Sequence, residues 1–334
     1  MLSLTDPERG VVSILSVIFF MIFASVILVG FLSIVSDGQR QATDTDISAG
    51  ALAAARSGIE DGKRVLLYCR ANPLTTGCSD IINKQDCSAL MTLRTSTLGN
   101  ELGFGNNEVN TDGQVVVGDD PSYQQQYQCL QIQTSTNDVS DITIAKGDSV
   151  LIPLMPAGGG TPTRLEVSWN TDSGKTVPNN NTVELPKETA WANRPALLRV
   201  QLIAFDDLRL DELSRDSRSV FLFPSRSDPT SQLSANLGAI DPRSGDNGVS
   251  RGSLNDRSRP IRSACNMNAA SYNCQKAIVR GGGPGPWRFV RISSYYSSTT
   301  LRLVMKDDDG DVLQFDNVQP SIDVTGRVND VYRR

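Results

Sequence analysis

The run at residues 306–311 reads Lys-Asp-Asp-Asp-Gly-Asp and could bind a cation. Carboxylate oxygens are the ligands that Ca²⁺ prefers, so Asp307, Asp309 and Asp311 are the candidate metal residues. The run does not complete an EF-hand loop, because the glutamate that closes such a loop is missing. An Asp-Gly pair between two apolar runs is also typical of a hairpin turn. The sequence therefore favours a turn over a calcium site, and no cofactor is expected.

The chain contains no histidine, the commonest metal ligand and the usual general base near neutral pH. This excludes zinc hydrolases and Ser-His-Asp enzymes. Carboxylate, lysine or tyrosine chemistry stays open, but the spacing of Glu166, Glu184 and Glu188 nominates no catalytic pair. We therefore predict a non-enzyme and name no catalytic residue. An anchored extracellular hydrolase is the least favoured alternative.

Six cysteines follow the first 68 residues, and none forms a Cys-x-x-Cys pair. This argues against a zinc ribbon or a thioredoxin-like redox motif. An even number of cysteines in an exported region indicates structural disulfides. Six cysteines allow 15 pairings. Proximity in the sequence favours Cys69 with Cys78 and Cys265 with Cys274, which would leave Cys87 for Cys129.

The elements that position these side chains can also be predicted from the sequence. The first such element is an apolar segment near the N-terminus. Residues 11–35 are 25 residues without a charge. As a helix this run is about 38 Å long, which exceeds the hydrocarbon core of about 30 Å. A cleaved secretory signal would have a positive start and a shorter apolar stretch. Residues 11–36 therefore predict a membrane-spanning helix.

The helical pattern continues into the polar residues 37–68, where apolar residues recur at spacings typical of an amphipathic helix. The predicted stripe consists of Ala42, Ala49, Leu52, Ala53, Ile59 and Leu66. We expect one continuous helix of about 58 residues. Four glycines weaken it by about 1 kcal/mol each relative to alanine, and they favour a bend or a melted turn near Ser36 to Gly38.

The first 70 residues or so resemble a type IV prepilin. A leader at residues 1–10 ends in Glu8-Arg9-Gly10, the apolar run starts at Val11, and the segment from Ala51 to Asp61 is similar to PilX-like minor pilins. The resemblance implies that a prepilin peptidase cuts after Gly10 on the cytoplasmic side. Val11 would then be the methylated first residue of the mature chain.

One position departs from the family pattern. Major pilins usually carry a glutamate as the fifth residue after the cut, where this chain has Leu15. A carboxylate in hydrocarbon is costly unless it is paired. In a subunit with no preceding neighbour, such a glutamate would have no partner. Leu15 therefore favours a minor, tip-located pilin over a major one. It also keeps a plain membrane anchor as an alternative.

The remaining chain predicts β structure. Residues 69–113 read as cysteine-containing loops and short helices, and residues 114–334 as a β-rich exported domain. Within it, the run from Leu197 to Phe205 is expected to be a central strand buried on both faces. Residues 225–262 are polar and are predicted to form a long mobile loop. The predicted fold class is α+β, a long N-terminal helix followed by a disulfide-bonded, β-rich domain.

A net charge of −5 gives no electrostatic footprint for nucleic acid. The resemblance implies a minor type IV pilin-like subunit that acts in pilus assembly, adhesion or surface contact. Its partners would be the membrane, other pilin subunits, the assembly machinery, prepilin peptidase and a host-cell or surface ligand. It would be a single-pass protein of the cytoplasmic membrane with the C-terminal domain outside, reaching the cell surface in a pilus. The competing hypothesis is a single-pass surface binding protein that never polymerises.

Overall fold

The structure is a computed structural model of the 334-residue chain. It describes residues 8–84, 86–104, 108–118, 124–170, 175–177, 188–204, 218–226, 261–266, 271–279 and 286–334. For residues 8–14, 190, 218, 226, 261 and 262 only the backbone is described.

A long helix opens the described chain, and most of the later elements are strands. The helices are α1 (Glu8–Ala71), α2 (Ala89–Thr95) and α3 (Thr97–Leu102), with a 3₁₀ turn at Glu188–Trp191. The strands are β1 (Gln114–Val116), β2 (Gln126–Thr136), β3 (Val139–Ile144), β4 (Ser149–Pro153), β5 (Arg164–Trp169), β6 (Leu197–Ala204), β7 (Arg218–Arg226), β8 (Ile261–Cys265), β9 (Cys274–Val279), β10 (Trp287–Tyr295), β11 (Thr299–Lys306), β12 (Val312–Leu313), β13 (Phe315–Val328) and β14 (Val331–Arg333).

The chain divides into two compact units, Met1–Ile132 with Ile322–Arg334, and Gln133–Ser321. The prediction of one β-rich domain from residue 114 to the end therefore differs from the structure. The last strands belong with the N-terminal helix, because β13 and β14 complete the four-stranded sheet of the first unit, ordered β1-β2-β13-β14.

In the first unit, α1 is one helix from Glu8 to Ala71. It runs through Ser36 to Gly38 without interruption, so the predicted melted turn is absent. It also begins before the predicted start at Val11. Two short helices follow it, and Ser96 caps the second of them by accepting a hydrogen bond from the Gly99 N–H at 3.0 Å.

The core of the first unit forms between α1, the two short helices and the sheet. Large side chains come from the short helices and from β2, and smaller ones come from α1. The fully buried members include Leu90, Leu93, Leu98, Tyr127, Leu130 and Ile132. The cysteine-containing segment after α1 thus contributes α2 and α3 to this core.

The second unit contains the larger sheet, ordered β12-β11-β5-β9-β8-β7-β6-β10-β4, with β3 also paired to β11. Its core includes Trp169, Leu198, Val290 and Phe315. The described pairs are antiparallel, except that β7 and β8 run parallel. The sequence runs at 150–154, 164–169, 197–205, 219–223, 287–293, 299–305, 311–315 and 321–328 predict strands, and a strand is present at each of them. Strands β3, β8 and β9 lie outside these runs and were not predicted.

Strand β6 tests the prediction of a central strand buried on both faces. It is central, because it pairs with β10 on one side and β7 on the other. From Leu198 onward its burial alternates, however, with Leu198, Val200 and Leu202 buried and the residues between them half-buried. Leu197 is also buried, on the opposite face, in a cluster with Trp191 and Phe223. The prediction of two buried faces therefore holds only at the start of the strand, because the opposite face is half-buried beyond Leu197.

The predicted mobile loop at residues 225–262 falls mostly outside the described residues. Its two ends are described and are strands, since Ser225 and Arg226 lie in β7 and Ile261 and Arg262 lie in β8. The position of residues 227–260 is not described.

Three disulfides join the predicted pairs. Cys69–Cys78 and Cys265–Cys274 each close a short loop, with a sequence separation of 9. Cys87–Cys129 closes a longer one, with a separation of 42. The Cys69–Cys78 bond ties the end of α1 to the loop after it, and the Cys265–Cys274 bond joins β8 to β9.

Candidate functional site

The most unusual surface of the described chain is the N-terminal half of α1. Every large apolar side chain between Leu15 and Val35 is exposed, with exposed fractions that reach 73% at Phe20 and 71% at Ile34. The helix is long and apolar enough to cross a membrane, and none of its apolar window is buried. A contiguous apolar surface of this extent marks a membrane or protein interaction site. We call residues 15–35 the apolar half of α1.

Burial of one such side chain is worth about 1.5–3 kcal/mol. The apolar half therefore carries a large unfavourable hydration free energy as long as water covers it. Nothing in the described part of the chain packs on it.

The C-terminal half of α1 is built differently, because it packs on the sheet of its own unit. Its buried residues are Ala51, Ala54, Ala55, Gly58, Gly62, Val65, Leu66 and Cys69. The predicted stripe was wrong at four positions, since Ala42, Ala49, Leu52 and Ala53 are exposed. The buried face consists mostly of glycine and alanine, whereas larger apolar residues such as Leu52 and Leu67 are exposed. We call residues 50–69 the packed half of α1.

Glycine lets the packed half approach the sheet closely. A Cβ at Gly58 would lie 2.5 Å from Val324 Cγ1 and 2.7 Å from Tyr127 Cδ2, and one at Gly62 would lie 2.7 Å from Ile322 Cγ2. On the sheet side, a Cβ at Gly326 would clash with the backbone of Ala51 and Ala55. These glycines therefore form the contact surface itself, which offsets their cost of about 1 kcal/mol each within a helix or strand.

A part-buried hydrogen bond fixes the same contact. The hydroxyl of Tyr127, on β2, donates to Asp61 Oδ2 at 2.6 Å. Arg64 pairs with Asp61 Oδ1 at 2.8 Å and donates to the Leu102 carbonyl at 3.2 Å. Burial, and then the bond to the Asp61 carboxylate, raises the pKa of Tyr127 well above its ordinary value. The phenol therefore stays protonated as a donor at any ordinary pH.

A polar groove of about 520 Å³ lies on α1 just past the apolar half. Its lining includes Asp37, Arg40, Gln41, Asp44, Ser48 and, from β14, Arg333. The helix residues recur every three or four positions, which places them on one face. Arg333 Nε donates to Ser48 Oγ at 2.8 Å and attaches β14 to that face. We call this surface the polar groove.

The charges in the groove are unpaired, although their spacing would allow pairing. Asp37 and Arg40 are three residues apart, and Arg40 and Asp44 are four apart, yet no ion pair joins them to any residue that the structure describes. The same helix does form such pairs further on, at Glu60–Lys63 and Asp61–Arg64. The groove thus presents carboxylates and guanidinium groups that are free to contact something else.

The predicted processing residues lie at the start of α1. Gly10 and Val11 are within its first turns, and their side chains are not described. Leu15 is 64% exposed and belongs to the apolar half.

The aspartate run at residues 306–311 is a turn between β11 and β12. The Asp307 carboxylate accepts a hydrogen bond from the Asp311 N–H at 2.8 Å, and Gly310 has a φ of +90°, which suits glycine. The run thus has the turn geometry that its Asp-Gly pair favours. No group of three or more possible metal ligands occurs within the described residues, Asp307, Asp309 and Asp311 included.

Of the glutamates considered for catalysis, the two that the structure describes pair with different cations. Glu166 accepts from Arg164 at 3.2 Å and from Lys306 at 3.0 Å. Glu188 pairs with Lys146. Glu184 lies outside the described residues.

Sequence reasoning missed the polar groove. The spacing of Asp37, Arg40 and Asp44 was a usable signal, since it places three charged residues on one helix face. Nothing in the sequence indicated Arg333, which reaches this face only because β14 is in the same sheet as β13. Comparison of the chain with protein-family models, with curated proteins and with solved structures finds no match.

Proposed function

We propose that this chain is a membrane-anchored, type IV pilin-like minor subunit. Its apolar half would first hold it in the cytoplasmic membrane and later pack against the helices of neighbouring subunits. The disulfide-bonded, β-rich region would lie outside and act in pilus assembly, adhesion or surface contact.

The observation that carries this proposal is the division of α1. One unbroken helix has an apolar half with every large side chain exposed and a packed half fixed to a sheet. A secretory signal would be removed and needs no rigid connection to the folded region. A helix that continues from the apolar half into the folded core instead supports a permanent anchor, or a rod that packs in an assembly.

The three disulfides support an oxidising location for the folded region. They all follow the apolar half, so a single span would separate them from the cytoplasm. Small residues within the apolar half support helix packing as a second role. Ala24, Ser25 and Gly30 would let another helix approach closely in lipid, and a Cβ at Gly30 would meet nothing within 4 Å.

The test is processing by a prepilin peptidase. The full chain is co-expressed with the peptidase in cells that otherwise lack one, and its intact mass is measured after purification. We expect loss of Met1–Gly10 and a methylated chain that starts at Val11. Gly10→Val should block the cut, because the peptidase site requires the glycine that the resemblance assigns. Gly30→Ala is the matched control, as it changes an exposed glycine of the same helix, and it should be cut like the wild type.

A chain that keeps Met1 in the presence of active peptidase would overturn the pilin-like proposal and favour the non-polymerising surface protein. Cross-linking then tests assembly among processed chains. A photo-cross-linking residue in place of Leu28, an exposed residue of the apolar half, should couple the chain to neighbouring pilin subunits only after cleavage. A processed chain that forms no such cross-link in cells that assemble fibres would leave the anchor but contradict assembly.

A further inference from the structure

Residues 36–46 of α1 lie between the apolar half and the packed half, and every one of them is exposed. The first hydrogen bonds from the rest of the first unit come after them, from Arg333 Nε to Ser48 Oγ and from Gln125 Nε2 to the Gly50 carbonyl, both at 2.8 Å. Among the described residues, no hydrogen bond or ion pair joins residues 36–46 to another element. This stretch is therefore held by the hydrogen bonds of its own helix. We call it the middle segment of α1.

The middle segment consists mostly of residues that favour a helix poorly. It reads Ser-Asp-Gly-Gln-Arg-Gln-Ala-Thr-Asp-Thr-Asp, and serine, threonine, aspartate and glycine all rank well below alanine in helix propensity. Thr43 Oγ1 donates to the Gln39 carbonyl at 3.0 Å, and Thr45 Oγ1 donates to the Gln41 carbonyl at 2.7 Å. Bonds of this kind weaken a helix and often bend it. The middle segment is thus the least stable part of α1 by its own sequence.

Both neighbours of the middle segment resist unfolding. In lipid or detergent an opened backbone leaves N–H and C=O groups without partners, so the apolar half stays helical there. The packed half is held by the core of the first unit and by the Cys69–Cys78 disulfide at its end. Opening of the middle segment costs only its own helical hydrogen bonds, which water replaces. Local opening of α1 is therefore confined to this segment.

We propose that the middle segment is a joint, which opens locally in a small fraction of the molecules while both halves of α1 stay folded. The inference rests on the membrane anchor of the proposed function and on no other part of it. On opening, the segment lengthens from about 17 Å to at most about 36 Å, since the rise per residue changes from 1.5 Å to about 3.3 Å. The folded core of the first unit can then turn and lift relative to the bilayer while the anchor stays in place.

Hydrogen exchange of the full chain in detergent micelles, measured by mass spectrometry, tests the joint. After correction for the rates of an unfolded chain, amides of the middle segment should exchange at least about tenfold faster than those of residues 51–66 and of the apolar half. A triple variant, Gly38→Ala with Thr43→Ala and Thr45→Ala, should slow exchange of the segment by about tenfold to thirtyfold. The reason is that alanine has the highest helix propensity and that all three positions are exposed.

Gly30→Ala is the matched control. It adds the same methyl group to a helical glycine that also has nothing within 4 Å, but it lies in the apolar half. Exchange of the middle segment should stay at the wild-type rate in this variant, because the apolar half does not take part in the opening.

Trypsin gives a second readout. Arg40 is the only lysine or arginine between Arg9 and Arg56. Trypsin cleaves a helix only after the helix opens locally, so the first cut between residues 15 and 71 should follow Arg40. Arg56 is exposed but lies in the packed half, and it should be cut much later. In the triple variant, the rate of the Arg40 cut should fall by the same factor as the exchange rate.

Three results would contradict the joint: middle-segment amides that exchange as slowly as those of residues 51–66, exchange that is unchanged in the triple variant, or a first cut after Arg56. All three leave the anchor of the proposed function intact. Fast exchange throughout the apolar half would instead contradict the anchor, because detergent would then not cover that half.

Discussion

The two halves of α1 share one helical backbone and bury opposite kinds of residue. In the apolar half, phenylalanine, isoleucine and leucine are exposed, and Gly30 meets nothing within 4 Å. In the packed half, the buried face is mostly alanine and glycine, and Gly58 and Gly62 lie against side chains of the sheet. Hydrophobicity alone would predict that the apolar half is buried and that the packed half is exposed.

The difference shows that backbone distance, as well as apolar area, selects the buried face of a helix. A sheet packs on the packed half because small residues let its side chains reach the helix backbone. The apolar half has the larger side chains, and no described residue packs on them. The two halves should therefore respond to different substitutions, and three changes test this.

The largest effect should come from Gly326→Ala. The added methyl would overlap backbone atoms of Ala51 and Ala55, which cannot move aside without shifting α1 from the sheet. Overpacking costs about 1–3 kcal/mol where side chains can yield, so we expect a loss of more than about 3 kcal/mol. Chemical denaturation of the full chain in detergent, followed by near-ultraviolet circular dichroism, measures it.

Gly38→Ala is the control, since this helical glycine is exposed and has nothing within 4 Å. It should leave stability unchanged or raise it by up to about 1 kcal/mol. If the two variants unfold alike, close packing of the sheet on α1 does not determine the fold of the first unit.

The second change tests the apolar half. Ile27→Arg places a charge near the middle of the segment, at a side chain that is 57% exposed. Arginine at the centre of a span costs about 2.5–3.5 kcal/mol in insertion assays, so membrane insertion should drop sharply. Glycosylation mapping in microsomes gives the inserted fraction.

Leu67→Arg is the matched control, because Leu67 is 64% exposed on the same helix but lies in the packed half. It should insert like the wild type. Neither arginine should change denaturant unfolding of the first unit by more than about 0.5 kcal/mol. An Ile27→Arg chain that inserts normally would show that this half does not cross the bilayer.

The smallest of the three effects should come from Tyr127→Phe, which removes one hydrogen bond from the packed half. The lost bond is to a charged acceptor, Asp61, and such bonds are worth about 1.5–3 kcal/mol. We expect a loss of about 2 kcal/mol on denaturant unfolding. Tyr68→Phe is the control, since its hydroxyl bonds to Glu101 at the surface, and it should change stability by about 0.5 kcal/mol or less.

The pH dependence sharpens this result. The folded state raises the pKa of Tyr127 above its ordinary value of 10.0. Above about pH 10 the unfolded phenol therefore releases its proton while the folded one keeps it, and stability falls by about 1.4 kcal/mol per pH unit until the folded pKa is passed. The advantage of the wild type over Tyr127→Phe should thus be constant below about pH 9 and shrink by pH 11. An advantage that is unchanged at pH 11 would contradict the raised pKa.

Much of the fold could be predicted from local pattern. The uncharged run from residue 11 to residue 35 predicted the long apolar helix, and runs of β-type residues predicted strands such as β5 and β10. Two cysteine pairs could be predicted because their members are only 9 residues apart, and the third pair then followed by elimination. Strands β8 and β9 were missed because they flank polar or glycine-rich segments, which hide a short alternation.

The sequence by itself determined that the chain has a span-length apolar helix, no histidine chemistry and a cysteine set suited to disulfides, because these are properties of composition and of local spacing. Only the tertiary structure decided which face of α1 is buried, that Tyr127 bonds to Asp61, and that Arg333 joins the polar groove. Each of these depends on β2, β13 and β14 meeting α1. A contact between residues up to 285 positions apart, as between Arg333 and Ser48, leaves no local pattern, since it arises only when strands pair.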